Sequence, residues 1–180
     1  RAGKVSSVNP PVSEEYIEEL LDNAKHGYAF LKSACLDSVH GGMYWSVSYD
    51  GKPYDTTKHT YNQAFSIYAL CSYYDVTRDE EALEIALDLY RIIEGRCRDE
   101  GGYLEAFDRE FKPSSNEKLS ENGVLATRTM NTLLHVFEAY TELIRVLAGV
   151  EIAEVFGCGG KSASVAPKRQ ALVFELRERM

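Results

Sequence analysis

The chain has 180 residues, 44% hydrophobic and 27% charged, with 13 glycines and 5 prolines, a composition that excludes disordered and fibrous classes and suits one domain with a substantial core. Twenty Lys and Arg against 28 Asp and Glu give a net charge of -8, which repels nucleic acid and anionic membranes, so neither is an expected partner. No apolar run approaches the ~18 residues of a membrane span, and Cys35, Cys71, Cys97 and Cys158 form no CxxC pair, so they read as reduced core residues of a cytoplasmic protein.

The sequence starts at Arg1 rather than Met, which leaves room for a targeting peptide ahead of it. Residues 1–13 read as an extended lead-in ending at Ser13, an N-cap for the acidic turn Glu14, Glu15. The helix that follows carries Tyr16, Leu20, Leu21, Ala24, Tyr28 and Leu31 on one side and Glu14, Glu18, Asp22 and Lys25 on the other, so its apolar face should be buried. Gly41 and Gly42 stop that region. Met43 to Tyr49 reads as a strand, closed by a hairpin turn at Asp50-Gly51. A second helix, about 58–76, is apolar almost all round through Tyr61, Ala64, Phe65, Ile67, Tyr68, Leu70 and Tyr74, and should be buried on most sides.

The pattern then recurs. Asp79 caps a one-faced helix with Leu83, Ala86, Leu87, Tyr90 and Ile93 inward; Gly101-Gly102 ends it; Tyr103 to Phe111 forms another strand-and-loop excursion; and a second all-round apolar helix spans about 128–147. Leu21, Ala24, Tyr28, Leu31 and Cys35 correspond to Leu83, Ala86, Tyr90, Ile93 and Cys97 at a constant offset of 62. A repeat of one amphipathic and one fully apolar helix predicts outer helices covering inner ones, an all-α (α/α) barrel or toroid. Two such hairpins do not close a ring, so residues 14–148 read as a partial barrel with an open edge through which self-association is expected. The segment 149–180 reads as a divergent tail, loop-like around Gly157–Lys161 and helical only over Gln170 to Arg179. It carries five basic and four acidic residues, against 15 basic and 24 acidic in 1–148.

Polar residues interrupt the inner helices in lines. Asn131, His135, Glu138 and Glu142 stand at i, i+4, i+7 and i+11 on an otherwise apolar helix. Facing dry packing, each unsatisfied group would cost about 1 to 3 kcal/mol, so the line is expected to face a wet cavity. His59, Asn62 and Ser66 form a similar line, with Asn62 and Ser66 matching Asn131 and His135 at an offset of 69; the alternative is that these groups cross-link neighbouring backbone inside the core. Other signals are weaker. Gly157-x-x-Gly160-Lys161-Ser162 lacks the first glycine of a phosphate loop. Glu105, Asp108 and Glu110 read as a solvated hairpin, and His26 and His40 as surface residues without companions at metal-ligand spacing. Tyr44, Trp45 and Tyr49 suit either a strand or the C–H face of a sugar ring.

The runs Gly41-Gly-Met-Tyr-Trp, Lys58-His-Thr-Tyr-Asn-Gln-Ala-Phe-Ser-Ile-Tyr-Ala-Leu, Glu105-Ala-Phe-Asp-Arg, Ser120-Glu-Asn-Gly and Thr129-Met-Asn-Thr-Leu-Leu-His-Val-Phe-Glu-Ala-Tyr-Thr closely resemble the N-acylglucosamine 2-epimerase superfamily, and within it the cellobiose 2-epimerases, over about residues 15–148. The resemblance implies an (α/α)6 barrel and a carbohydrate epimerase. Such an enzyme interconverts glucose and mannose configuration at C2 of the reducing end of a β-1,4-linked disaccharide through a cis-enediolate, with histidines moving protons and no metal or nucleotide cofactor. Carried over, His135 is the expected catalytic residue and Asn131, Tyr61 and Glu138 the expected substrate contacts, on an oligosaccharide or monosaccharide. The family's upstream Arg-bearing segment and its two proton-transfer histidines have no match here. The chain therefore resembles about the second to fourth helices of the barrel and is expected to be inactive alone. An aldose-ketose (mannose) isomerase on the same barrel, or a non-catalytic sugar-binding or self-associating fragment, are the alternatives.

Overall fold

The computed structural model describes residues 13–115, 126–149 and 167–179; the lead-in up to residue 12, the loop around Gly157–Ser162 and Cys158 lie outside them. Helix α1 (Glu14–Phe30) begins where the Ser13 hydroxyl accepts a bond from the Tyr16 amide, and it widens at its end into a π-helical turn, Leu31–Cys35. Helix α2 (Thr60–Thr77) is followed by α3 (Glu80–Ile92), capped by the Asp79 carboxylate, which accepts from the Glu81 amide at 3.0 Å. Helix α3 also ends in a π turn, Ile93–Cys97. The offset of 62 thus extends beyond side-chain pattern to a rare backbone feature at the same register in both one-faced helices.

Helix α2 lies between α3 and α4 (Met130–Leu147) and packs on both. Ile67, Leu70, Cys71 and Tyr74 meet Leu83, Ala86, Tyr90 and Ile93 on one side and Val136, Ala139, Tyr140 and Leu143 on the other. The inward set expected of the second outer helix is buried, with Leu87 at its margin. Helix α1 departs from expectation: it buries no residue, and Tyr16, Ile17 and Leu20 are about half exposed. It reaches the core through Tyr28 and Leu31 at its C-terminal end, with Tyr28 stacked on Tyr73 at 4.4 Å. No described helix lies on the side that Tyr16, Ile17 and Leu20 face, so the apolar stripe has nothing to bury against. The inner helices are likewise covered on fewer sides than expected, with Phe65 and Tyr68 of α2 and Met130, Leu133, Leu134 and Phe137 of α4 exposed.

The excursions are shorter than the strands expected. Among the described residues, β1 (Ser46–Val47) pairs with β2 (Pro53–Asp55) around a turn where Gly51 adopts φ 78°. Strand β3 (Lys58–His59) pairs with β6 (Ala106–Phe107), and β4 (Arg98–Asp99) with β5 (Gly102–Tyr103). Lys58 and His59 therefore precede α2 as a strand instead of opening it, because they bond across to the second excursion. That ribbon ties one helical hairpin to the other.

A buried polar knot fixes the loops above it. Lys58 Nζ donates to Asp37 Oδ2 at 3.2 Å and to the carbonyls of Gly41 and Gly42; Arg109 Nε donates to the same Asp37 oxygen at 2.8 Å and Arg109 also reaches the Tyr44 hydroxyl. Gly42 sits at φ 72°, and a Cβ there would lie 2.7 Å from the Phe111 ring and 2.9 Å from Gln63 Oε1. At the other end of the chain α5 (Pro167–Arg179) starts three residues earlier than the expected Gln170 and packs on α4, burying Val173 and Leu176. Tyr90 donates from its hydroxyl to Glu175.

Candidate functional site

The register of α4 is set at its first turn. The Thr129 hydroxyl accepts from the Thr132 amide at 3.2 Å, while Glu105, just before β6, accepts from the Thr129 amide at 2.6 Å and the Thr132 hydroxyl at 2.7 Å. A carboxylate at a helix N-terminus satisfies otherwise orphaned amides and is favoured by the helix dipole. Glu105 is buried, which corrects its expected place on a solvated hairpin. Asp108 and Glu110 do stay at the surface region, Asp108 accepting the amides of Glu110 and Lys112 and Glu110 pairing with Lys112.

With that register, the line from His135 to Glu142 borders an open cleft of about 460 Å³ between α2 and α4, within the ~300–1,000 Å³ of small-molecule sites. Phe65, Tyr68, His135, Phe137, Glu138 and Glu142 are among its walls. The His135 ring meets the Tyr61 ring edge-on at 4.8 Å and leans on Phe65 at 4.6 Å, and His135 Nδ1 lies 2.9 Å from Glu138 Oε2. At the other end of the line, Glu142 accepts from Arg145 at 2.6 and 3.0 Å, and Arg145 also donates to Asp75 at 3.0 Å. The bonds to Glu142, and then to Asp75, hold the guanidinium above its usual pKa range although burial works the other way.

Tyr61, His135 and Glu138 are therefore together. Asn131 stands one helical turn before His135, exposed, and is not among the residues lining the cleft. The second polar line turns elsewhere. Asn62 donates to the Tyr44 carbonyl at 2.6 Å, the Ser66 hydroxyl donates to the Asn62 carbonyl, and His59 is buried with its ring 4.3 Å from that of Trp45. These groups cross-link backbone and loop, so of the two lines expected to face one cavity, that of α4 does so through His135, Glu138 and Glu142 but not Asn131, and that of α2 does not. Of the three aromatics of the first excursion, Tyr44 is buried, Trp45 leans on His59 and Tyr49 is fully exposed; none lines the cleft. His26 is exposed, and the His40 carbonyl accepts from Arg96.

Phe65 and Tyr68, which the sequence does not single out, also wall the cleft. They follow Tyr61 at i+4 and i+7, a single face of α2, but in a helix apolar all round that face is indistinguishable from core.

A family model described as N-acylglucosamine 2-epimerase (GlcNAc 2-epimerase) matches residues 12–144. The cellobiose 2-epimerase of Eubacterium cellulosolvens is 62% identical over 130 residues, 72% of this chain and 32% of that protein; that of Ruminococcus albus is 53% identical over 137 residues, 76% of this chain and 35% of that protein. Among solved structures, a sugar epimerase from a ruminal bacterium overlays with a TM-score of 0.71 at 45% identity, covering 91% of this chain and 38% of its own. The cellobiose 2-epimerase of Bacillus thermoamylovorans overlays with a TM-score of 0.69 at 41% identity, covering 89% and 38%. The chain spans about a third of the length of the curated relatives it matches. The alternation of outer and inner helices is that of part of an (α/α)6 barrel. Repeat, fold and the matched span from the edge of α1 to near the end of α4 agree, and the chain belongs to the N-acylglucosamine 2-epimerase family.

Proposed function

We propose that this chain supplies part of the sugar pocket of a 2-epimerase, which inverts C2 at the reducing end of a β-1,4-linked disaccharide such as cellobiose through a cis-enediolate. The observation that carries the reading is the cleft bordered by His135, Phe65 and Glu138, with the Tyr61 ring against that of His135, in a chain 62% identical over 130 residues to a protein named cellobiose 2-epimerase. His135 is the catalytic residue of this segment, with Asn131 and Tyr61 as donors to sugar oxygens and to the charge that develops as the enediolate forms, and with Glu138 orienting the His135 ring beside it. Phe65, Tyr68 and Phe137 offer flat apolar faces to the C–H side of a pyranose. The chemistry needs no metal or nucleotide. Cys35, Cys71 and Cys97 are free thiols, which suits a cytoplasmic setting, and the uncovered helix faces suit self-association.

Epimerisation needs a proton taken from one face of C2 and returned on the other. Of the four histidines, His135 alone lines the cleft among the described residues, so the 180 residues by themselves are expected to give no glucosyl-mannose from cellobiose. The decisive experiment grafts the matched segment of this chain into the Eubacterium cellulosolvens enzyme in place of its own. The chimera should epimerise cellobiose, and His135→Ala within it should cut turnover by about 10²-fold or more. Full turnover in His135→Ala would remove His135 from the chemistry, and a ketose product would turn the reading to an aldose-ketose isomerase.

A further inference from the structure

Among the described residues, the His135 ring has one hydrogen-bonding partner, the Glu138 carboxylate 2.9 Å from Nδ1. The two stand three apart on α4, so the pair belongs to a single rigid element and does not depend on how α2 and α4 are spaced. On the α2 side the ring meets Tyr61 and Phe65 through ring contacts, at 4.8 and 4.6 Å. An ionised carboxylate accepts and cannot donate. A neutral imidazole bonded to it through Nδ1 therefore keeps its proton on that nitrogen, and Nε2 is left as a bare lone pair. The same arrangement, a carboxylate fixing one ring nitrogen so that the other is presented in a defined state, sets the tautomer of histidines in many sites.

We propose that Glu138 is a positioning residue that locks His135 in the Nδ1–H tautomer, so that neutral His135 meets the sugar through Nε2 as an acceptor. It then takes a hydrogen bond from a sugar hydroxyl and does not donate one to the enediolate oxygen. Donation to that oxygen falls to groups that carry protons in the neutral site, such as the hydroxyl of Tyr61, whose ring lies against His135. The ligand class follows: a sugar with a free hydroxyl opposite Nε2, since a site built to bond a hydroxyl discriminates sharply against the analogue lacking it. The identity of the ligand rests on the sugar-pocket reading, whereas the tautomer does not.

The test has two arms. In the 15N-labelled 180-residue chain, at a pH where the imidazole is neutral, two-bond proton–nitrogen correlations report which ring nitrogen carries the proton. Wild type should show Nδ1–H at His135, Glu138→Ala should shift the ring several-fold toward Nε2–H, and Glu138→Gln, whose carbonyl still accepts, should restore Nδ1–H. Glu138 is half exposed on the helix surface, and the same spectra verify that each variant stays folded. Nε2–H in wild type, or a tautomer indifferent to Glu138→Ala, overturns the proposal. In the chimera, Glu138→Ala should lower kcat about 10- to 100-fold with little change in KM, and Glu138→Gln should recover most of it. An Nδ1–H tautomer that depends on Glu138, beside a chimera that never turns over cellobiose, would uphold the positioning role and sink the sugar-pocket reading.

Discussion

Lys58 is fully buried, and its ammonium donates to the Asp37 carboxylate and to the carbonyls of Gly41 and Gly42. Asp37 in turn accepts from Arg109 and from the amides of Val39 and His40. Burial would push the Asp37 carboxyl up, but the bonds from Arg109, from those two amides and from Lys58 outweigh it and hold the group far below the usual carboxylate range. A group whose folded pKa is depressed contributes stability that is whole above its unfolded value of about 3.9 and drains away as pH falls below it. Asp37→Asn should cost about 3 to 5 kcal/mol at pH 7, because it leaves the Lys58 ammonium buried beside a neutral group. It should also flatten the loss of stability that wild type shows between about pH 4 and pH 2. Urea unfolding at pH 7 and pH 3 reads both effects; an acid limb as steep in the variant as in wild type would mean that Asp37 is not the group being protonated. Nothing in the sequence announces this knot. Asp37, Lys58 and Arg109 lie in three separate segments, which the β3–β6 ribbon and the two glycine carbonyls help bring together. His135 and Glu138 were legible because helical spacing alone makes them neighbours.

The same distinction runs through the elements. Periodicity names the apolar face of a helix but not whether anything arrives to cover it: at the offset of 62, Leu83, Ala86, Tyr90 and Ile93 are buried while the matching Leu21, Ala24, Tyr28 and Leu31 are only half-buried, and Tyr16 and Leu20 on the same side of α1 stay in solvent. Two-residue ladders carry almost no period, so alternation in the sequence suggests longer strands than form, and Lys58–His59 is indistinguishable from the start of α2 because its partners, Ala106 and Phe107, are remote in sequence. Asn62 and Ser66 were visible as polar exceptions, but their destinations, the carbonyls of Tyr44 and of Asn62 itself, are tertiary and local facts that spacing does not reveal. Helix α5 extends the point. It lies past residue 144, where the family match ends, yet Leu176 is 0% exposed in the main core while its neighbour Phe174 is 68% exposed. Leu176→Ala should therefore cost about 2 to 5 kcal/mol and Phe174→Ala no more than about 0.5, both by denaturant unfolding of the whole chain. Two equally small effects would mean that α5 does not dock on α4 in solution.

At the scale of the molecule, the helices present two uncovered apolar faces outside the cleft: Tyr16, Ile17 and Leu20 on α1, and Met130, Leu133 and Leu134 on α4. In a ring of alternating helices each inner helix is flanked on both sides, and this chain spans about a third of the length of relatives that complete such a ring. Contiguous apolar surface is where soluble domains associate. Opposing association is the net charge of -8, whose repulsion acts over about 10 Å at 0.1 M salt and shrinks as salt is added. Burial of apolar surface is not screened, and it gains about 25 cal/mol per Å² removed from water. The two dependences separate the forces: the light-scattering mass of the chain should rise with protein concentration, and rise further from 50 mM to 500 mM salt, while an environment-sensitive dye brightens on the monomer. Leu20→Lys together with Leu134→Lys should lower both signals without unfolding the chain, since neither side chain is buried. A mass fixed at 20.2 kDa across concentration and salt, with no dye response, would show that these faces do not drive self-association.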